Sequence, residues 1–131
     1  MPETPSAKKV VMTDKAAKPI GPYSQAIQAG GFVFVAGEKG IDPQTGKMAV
    51  GIQAQTRQTL ENIRVILEAA GSSLDDAVAT TVYLVNIEDF QAMNEVYAQY
   101  FVNDPPGRTT VAVSALPAGA LVEIQCTALA P

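Results

Sequence analysis

Few side chains in this sequence can do chemistry. Its 131 residues include no histidine, one cysteine (Cys126) and three arginines, Arg57, Arg64 and Arg108. Without an imidazole, and with a single thiol, tetrahedral zinc sites and thiolate–imidazole catalysis are excluded. A purely carboxylate-bound ion stays open, but no EF-hand-like loop is present and no metal site is expected. Arg108 stands directly after Pro105-Pro106-Gly107, at the start of a β-prone run. A guanidinium is a planar fork that matches a carboxylate bidentately, which a lysine does less well. The same residue type also serves as an ordinary surface or interface ion pair, worth little. Glu123 interrupts an apolar run between Val122 and Ile124, on the face that also carries Leu121, Gln125 and Thr127. It is a solvent-facing charge on a half-buried strand or, if partly buried, a carboxyl whose pKa rises toward neutrality.

Other polar candidates have plain structural readings beside functional ones. Tyr23, after Gly21-Pro22, suits a core aromatic with a satisfied hydroxyl. Asn94 suits a cap or a helix surface, and Gly37 suits a turn at a strand end. Thr110 is two residues beyond Arg108 and shares its face of the strand. Cys126 alternates with Gln125 and Thr127 and reads as a buried small apolar residue.

The elements that must carry these residues can be read from periodicity. Lys9 to Thr13 is short and β-prone, and Asp14 to Pro22 is a proline- and glycine-bearing loop. Tyr23 to Gln28 and Phe32 to Ala36 are strands joined through Ala29-Gly30-Gly31. Asp42 to Gly46 is a turn. From Gln53 to Ala70 the period changes: Leu60, Ile63, Leu67 and Ala70 share a helical face, and Gly71 ends the helix. Val78 to Val85 returns to strand, with Val78, Thr80, Val82 and Leu84 on one face. Asn86 is placed to cap a second helix with Asp89 in its first turn, and Phe90, Met93, Tyr97 and Tyr100 form its apolar stripe. Asp104-Pro105-Pro106-Gly107 breaks it. Strands Arg108 to Ala115 and Leu121 to Leu129 follow, joined around Pro117 and Gly119. The order is β-β-β-α-β-α-β-β, an α+β fold with both helices on one face of one sheet. The other face is apolar enough to need a cover, which a second copy of the chain can supply.

Composition sets limits on function. Hydrophobic residues make up 47% and charged residues 17%, with a net charge of −4. This is a globular balance for one domain over residues 1–131, with residues 1–7 as a frayed arm. Phosphate-backbone binding needs clustered cations, so nucleic acid is an unfavoured partner. The longest apolar run is too short for a membrane span, and the start of the chain lacks the apolar core of a signal peptide. A lone cysteine points to a reducing compartment, with the cytoplasm as the default.

Five segments together resemble the RidA (YjgF) family. They are IGPYSQA (Ile20 to Ala26), AGEKGIDPQTG (Ala36 to Gly46), QTRQTLENI (Gln55 to Ile63), NEVYAQYF (Asn94 to Phe101) and PGRTTVAVSALPAGALVEIQCTA (Pro106 to Ala128). They occur in family order and spacing over nearly the whole chain. The resemblance implies a chorismate-mutase-like fold and a homotrimer with pockets between subunits. It further implies cofactor-independent hydrolysis of 2-imino and 2-enamino acids, such as 2-aminoacrylate and 2-iminobutanoate, to 2-keto acids and ammonia. By resemblance, Arg108 grips the substrate carboxylate, and Glu123 positions water or relays a proton. Tyr23 and Asn94 border the pocket, Gly37 offers backbone to the ligand, and the Thr110 carbonyl holds water. Ala36 stands where a serine is common in relatives, Thr110 where many have cysteine, and Glu38-Lys39-Gly40 where a glutamine-and-apolar run is usual. The rival readings are a non-catalytic metabolite-binding or chaperone-like protein on the same scaffold, and an endoribonuclease or translation inhibitor. Acidic balance and lack of histidine speak against the last.

Overall fold

The computed structural model describes residues 7–131. The expected arm therefore lies, apart from Ala7, outside the described residues. Six strands form one mixed sheet: β1 (Lys9–Val11), β2 (Ala26–Ala29), β3 (Phe32–Lys39), β4 (Ala77–Leu84), β5 (Gly107–Ala112) and β6 (Val122–Leu129). Their spatial order is β1-β2-β3-β6-β4-β5. Neighbours run antiparallel except β4 and β5, which are parallel. Two helices, α1 (Ile52–Ala69) and α2 (Phe90–Tyr100), make the crossovers from β3 to β4 and from β4 to β5. Parallel strands cannot be joined by a hairpin and need such crossovers. The element order agrees with the sequence pattern.

The core lies between the sheet and α1. Leu60, Ile63, Ile66 and Leu67 are fully buried against Val33, Val35, Val82, Leu84, Val122 and Ile124. Each such side chain is worth about 1.5–3 kcal/mol relative to exposure. The sheet's other face keeps Phe32, Phe34, Val111 and Leu129 exposed. The β2–β3 hairpin turns through Gly30 and Gly31 at φ 58° and 88°, a pair of positive values that a two-residue turn of this hand needs.

Several expected boundaries shift, each for a local reason. Tyr23 is not in a strand, because β2 starts only at Ala26. β3 runs on past Ala36 to Lys39 through a register shift between Val35 and Glu38. A second shift, between Ala77 and Ala79, turns Val78 out of the face shared by Thr80, Val82 and Leu84. Val78 is 41% exposed as a result. The Asn86 side chain accepts from the Glu88 N–H at 3.0 Å, so it caps a 3₁₀ turn (Ile87–Asp89) that precedes α2. β5 ends at Ala112, earlier than expected. Tyr100 sits at the edge of the apolar stripe, and its hydroxyl donates to Glu61 Oε2 at 2.9 Å. No helix among the described residues is long and apolar enough to cross a membrane.

Candidate functional site

The residues singled out from the sequence fall into two groups on opposite faces of the sheet. Register decides this. Arg108 pairs with Thr80, and Thr110 with Val82. Thr80 pairs in turn with Cys126. Thr80, Val82 and Cys126 are buried under the helices, so Arg108 and Thr110 point to the helix side of edge strand β5. Glu123 pairs with Tyr83 on β4 and Lys39 on β3. As the alternate residue between buried Val122 and Ile124, it points to the open side.

On the helix side, α2 supplies a seat for Arg108. Its guanidinium carbon is 4.7 Å from the Tyr97 ring centroid and 5.5 Å from that of Phe90. A guanidinium over aromatic faces is held by the ring quadrupoles, and its N–H groups remain free to donate. The Tyr97 hydroxyl shares a 2.7 Å hydrogen bond with Thr80 Oγ1, which fixes the ring. Burial raises the Tyr97 pKa, while the Thr80 hydrogen bond and the nearby Arg108 charge oppose that rise. Arg108 has no ion-pair partner among the described residues. Asn94 lies one turn from both Phe90 and Tyr97 along α2. Asn94 Oδ1 and Thr110 Oγ1 are the two buried side-chain polar atoms without a hydrogen-bond partner among the described residues. Such an atom costs about 1–3 kcal/mol, which a ligand or an ordered water recovers. The Arg108 guanidinium has spare donors for an anion, the Thr110 hydroxyl can donate as well, and Asn94 Oδ1 can accept from a ligand N–H or a water.

The second group lines a cleft of about 440 Å³ on the open side, bounded by Ile20 to Tyr23, Ala36, Gly37, Lys39, Pro117 and Glu123. The loop before β2 forms one wall. Gln25 ties that loop down, accepting from the Thr13 N–H at 2.8 Å and donating to the carbonyls of Thr13 and Ala17 at 3.0 and 2.9 Å. The Tyr23 hydroxyl folds back to accept from the Ile20 N–H at 3.2 Å. The Ala36 N–H donates to the Gln25 carbonyl at 2.9 Å, holding that wall to β3. Glu123 lies over Gly37 so closely that a Cβ there would overlap its carboxylate. Lys39 Nζ donates to the Gly37 carbonyl at 3.1 Å and stands 3.9 Å from Glu123 Oε1. Behind Lys39, burial pushes the Glu38 carboxyl up to about 8, with Lys39 opposing and Glu123 adding to the rise. Cys126 belongs to neither group, and burial pushes its thiol up to about 12.

Sequence reasoning gave Phe90 and Tyr97 no place in a site, and marked Lys39 only within the Glu38-Lys39-Gly40 departure from the family pattern, as a change in what the pocket accepts. Lys39 falls beyond the point where the sequence pattern ends β3. The two aromatics read as ordinary core, with only their helical spacing around Asn94 to mark them. One chain brings Tyr23, Ala36, Gly37 and Glu123 together. It brings Arg108, Thr110 and Asn94 together as well, but it does not join the two sets.

Comparison with known proteins identifies the scaffold. The family described as endoribonuclease L-PSP matches residues 13–130. A RutC family protein of Pyrococcus horikoshii is 57% identical over 122 residues, spanning 92% of this chain and 97% of that protein. The chloroplastic Reactive Intermediate Deaminase A of Arabidopsis thaliana is 45% identical over 122 residues, spanning 92% of this chain and 65% of that one. The solved structure of E. coli TdcF with bound serine superposes with a TM-score of 0.90 at 37% identity, covering 94% of this chain and 99% of that one. With the family matched across nearly the whole described chain, and one relative named Reactive Intermediate Deaminase A, the chain belongs to the endoribonuclease L-PSP family, also called RidA or YjgF.

Proposed function

We propose that this protein hydrolyses 2-imino and 2-enamino acids to 2-keto acids and ammonia, without a cofactor, at sites shared between subunits of a homotrimer. The observation that carries the reading is the seat of Arg108. Its guanidinium rests on two aromatic rings and has no carboxylate partner among the described residues, and unpartnered Asn94 Oδ1 and Thr110 Oγ1 lie on the same two elements, α2 and β5. A small carboxylate fits the guanidinium and the Thr110 hydroxyl, and Asn94 Oδ1 can accept from an N–H of the same ligand. The deaminase name of the plant relative and the amino acid bound to the E. coli relative support a ligand of this type.

In this mechanism Arg108 holds the carboxylate, and C2 of the imine faces water near Glu123. The water proton passes to Glu123 while its oxygen bonds to C2. The C=N pair becomes a lone pair on nitrogen, which takes the proton back from Glu123. Collapse of the aminol forms the ketone, and ammonia leaves with the hydroxyl proton. An enamine first gains a proton at C3, from Glu123 or Tyr23.

The two half-sites sit on different faces of one chain, so a complete site needs the Arg108 edge of one copy against the cleft of another. Contacts between unlike patches are heterologous, and they close into a ring where the rotation between copies permits. The exposed apolar residues of the open face favour the same assembly.

The test is keto-acid release from freshly generated 2-aminoacrylate in competition with a trapping amine. Wild type should exceed buffer, and Arg108→Ala should lose roughly a hundredfold or more in kcat/KM, as expected for a charge-assisted contact. An Arg108→Ala protein with full activity would refute the proposed role. Tight keto-acid binding without turnover by wild type would favour the metabolite-binding reading.

A further inference from the structure

We propose that Lys39 is the positioning residue of Glu123, holding its carboxylate over Gly37 while leaving both oxygens able to take a proton from water. This inference rests on the deaminase reading of the same cleft.

Register places Lys39 directly opposite Glu123 across the β3–β6 pair. The bulge at Ala36 and Gly37 is what brings it there. Without the extra residue, the side chains beyond it would fall on the opposite faces. Lys39 is 7% exposed, and an ammonium this buried needs partners. One of its three N–H donors goes to the Gly37 carbonyl at 3.1 Å. The Glu123 oxygen at 3.9 Å is too far for a hydrogen bond but close enough for a charge pair. That distance matters to the chemistry. A hydrogen-bonded lysine would take up one of the carboxylate's lone-pair sites. At 3.9 Å it contributes its field and leaves them free, and Glu123 accepts no side-chain or backbone hydrogen bond among the described residues.

Gly37 completes the arrangement from below. Its carbonyl anchors the ammonium, and its missing Cβ leaves room for the carboxylate. The other titratable groups facing Glu123 are Glu38 on β3, Tyr83 paired with it on β4, and Tyr23 in the loop wall. Glu38, with its carboxyl near 8, is mostly neutral at pH 7 and competes little for the Lys39 charge. Arg108 of the same chain is on the other face and exerts no direct contact.

The experiment compares wild type, Lys39→Met, Lys39→Arg and Glu123→Gln in the 2-aminoacrylate assay from pH 5 to 9, with a crystal structure of Lys39→Met. In Lys39→Met, kcat should fall roughly tenfold with KM changed less than about twofold, because orientation of the base is lost and substrate binding is not. Lys39→Arg should restore much of kcat. In the crystal, the Glu123 carboxylate should leave its place over Gly37. Wild-type kcat in Lys39→Met, beside an inactive Glu123→Gln, would overturn the role of Lys39 and leave the deaminase reading standing. Absence of turnover in wild type would instead sink the deaminase reading. The crystal structure then decides on Lys39 alone: a displaced Glu123 supports the positioning role, and an unmoved one overturns it.

Discussion

Glu38 is a buried acid without a hydrogen-bonded partner among the described residues, and its cost to the fold depends on pH. It is 6% exposed in a narrow crevice with Ala17, Lys18, Pro19, Ile20, Tyr23, Lys39 and Ile41. Burial pushes its carboxyl from the ordinary 4.5 up to about 8. Between those two values the unfolded chain has lost the proton and the folded chain still holds it. The unfolded state then binds fewer protons, so stability falls as pH rises through this window. The loss is absent below the lower value and complete above the upper one. Glu38→Gln keeps the shape and removes the titration. The variant should match wild type in stability near pH 4.5 and exceed it near pH 8.5, by up to roughly 4–5 kcal/mol, with a correspondingly higher Tm. Thermal melts across that range check this, and parallel curves for the two proteins would contradict it. The same residue shows how a family position can change character. A glutamine there would carry no such pH dependence.

At the scale of elements, α2 does two separable jobs through Tyr97. The hydroxyl partners buried Thr80, and the ring seats Arg108. Tyr97→Phe keeps the ring and orphans the Thr80 hydroxyl, which should cost about 1–2 kcal/mol of stability while KM stays near wild type. Tyr97→Leu removes the ring face and should raise KM about three- to fivefold, the worth of one exposed cation–π contact. Denaturant melts and steady-state kinetics on the two variants separate these effects. Equal KM in both would show that the ring does not hold Arg108. The helices themselves were legible because Leu60, Ile63, Leu67, Met93 and Tyr97 repeat at helical spacing, and all five are buried. Arg108 at the mouth of β5 was legible from Pro-Pro-Gly, which must end a helix. The bulges were not legible. Period two says which residues share a face only while pairing is regular, so one inserted residue displaces Val78 outward and turns Lys39 toward Glu123. Nor could the pattern say that Arg108 and Glu123 face opposite ways. That depends on β6 lying between β3 and β4, a fact of sheet order that no single strand contains.

For the whole molecule, the separation of the half-sites makes a quantitative demand on assembly. If each site takes Arg108 from one subunit and Glu123 from the next, Arg108→Ala and Glu123→Gln damage opposite sides of every interface. Either variant alone carries only broken sites. Mixed by unfolding and refolding together in equal amounts, they assort at random around a ring. A site is then intact when the Glu123→Gln subunit supplies the arginine and the Arg108→Ala subunit supplies the glutamate. That combination occurs at about a quarter of interfaces, so activity should recover to roughly a quarter of wild type. Light scattering on the same mixture should give the mass of three chains. A site confined to one chain predicts no recovery at any mixing ratio, because no subunit then holds both residues. Recovery should also peak at equal proportions and fall symmetrically on either side, since it follows the product of the two subunit fractions. That bell-shaped dependence distinguishes a shared site from a trace of active contaminant, whose activity would follow the amount of one preparation only.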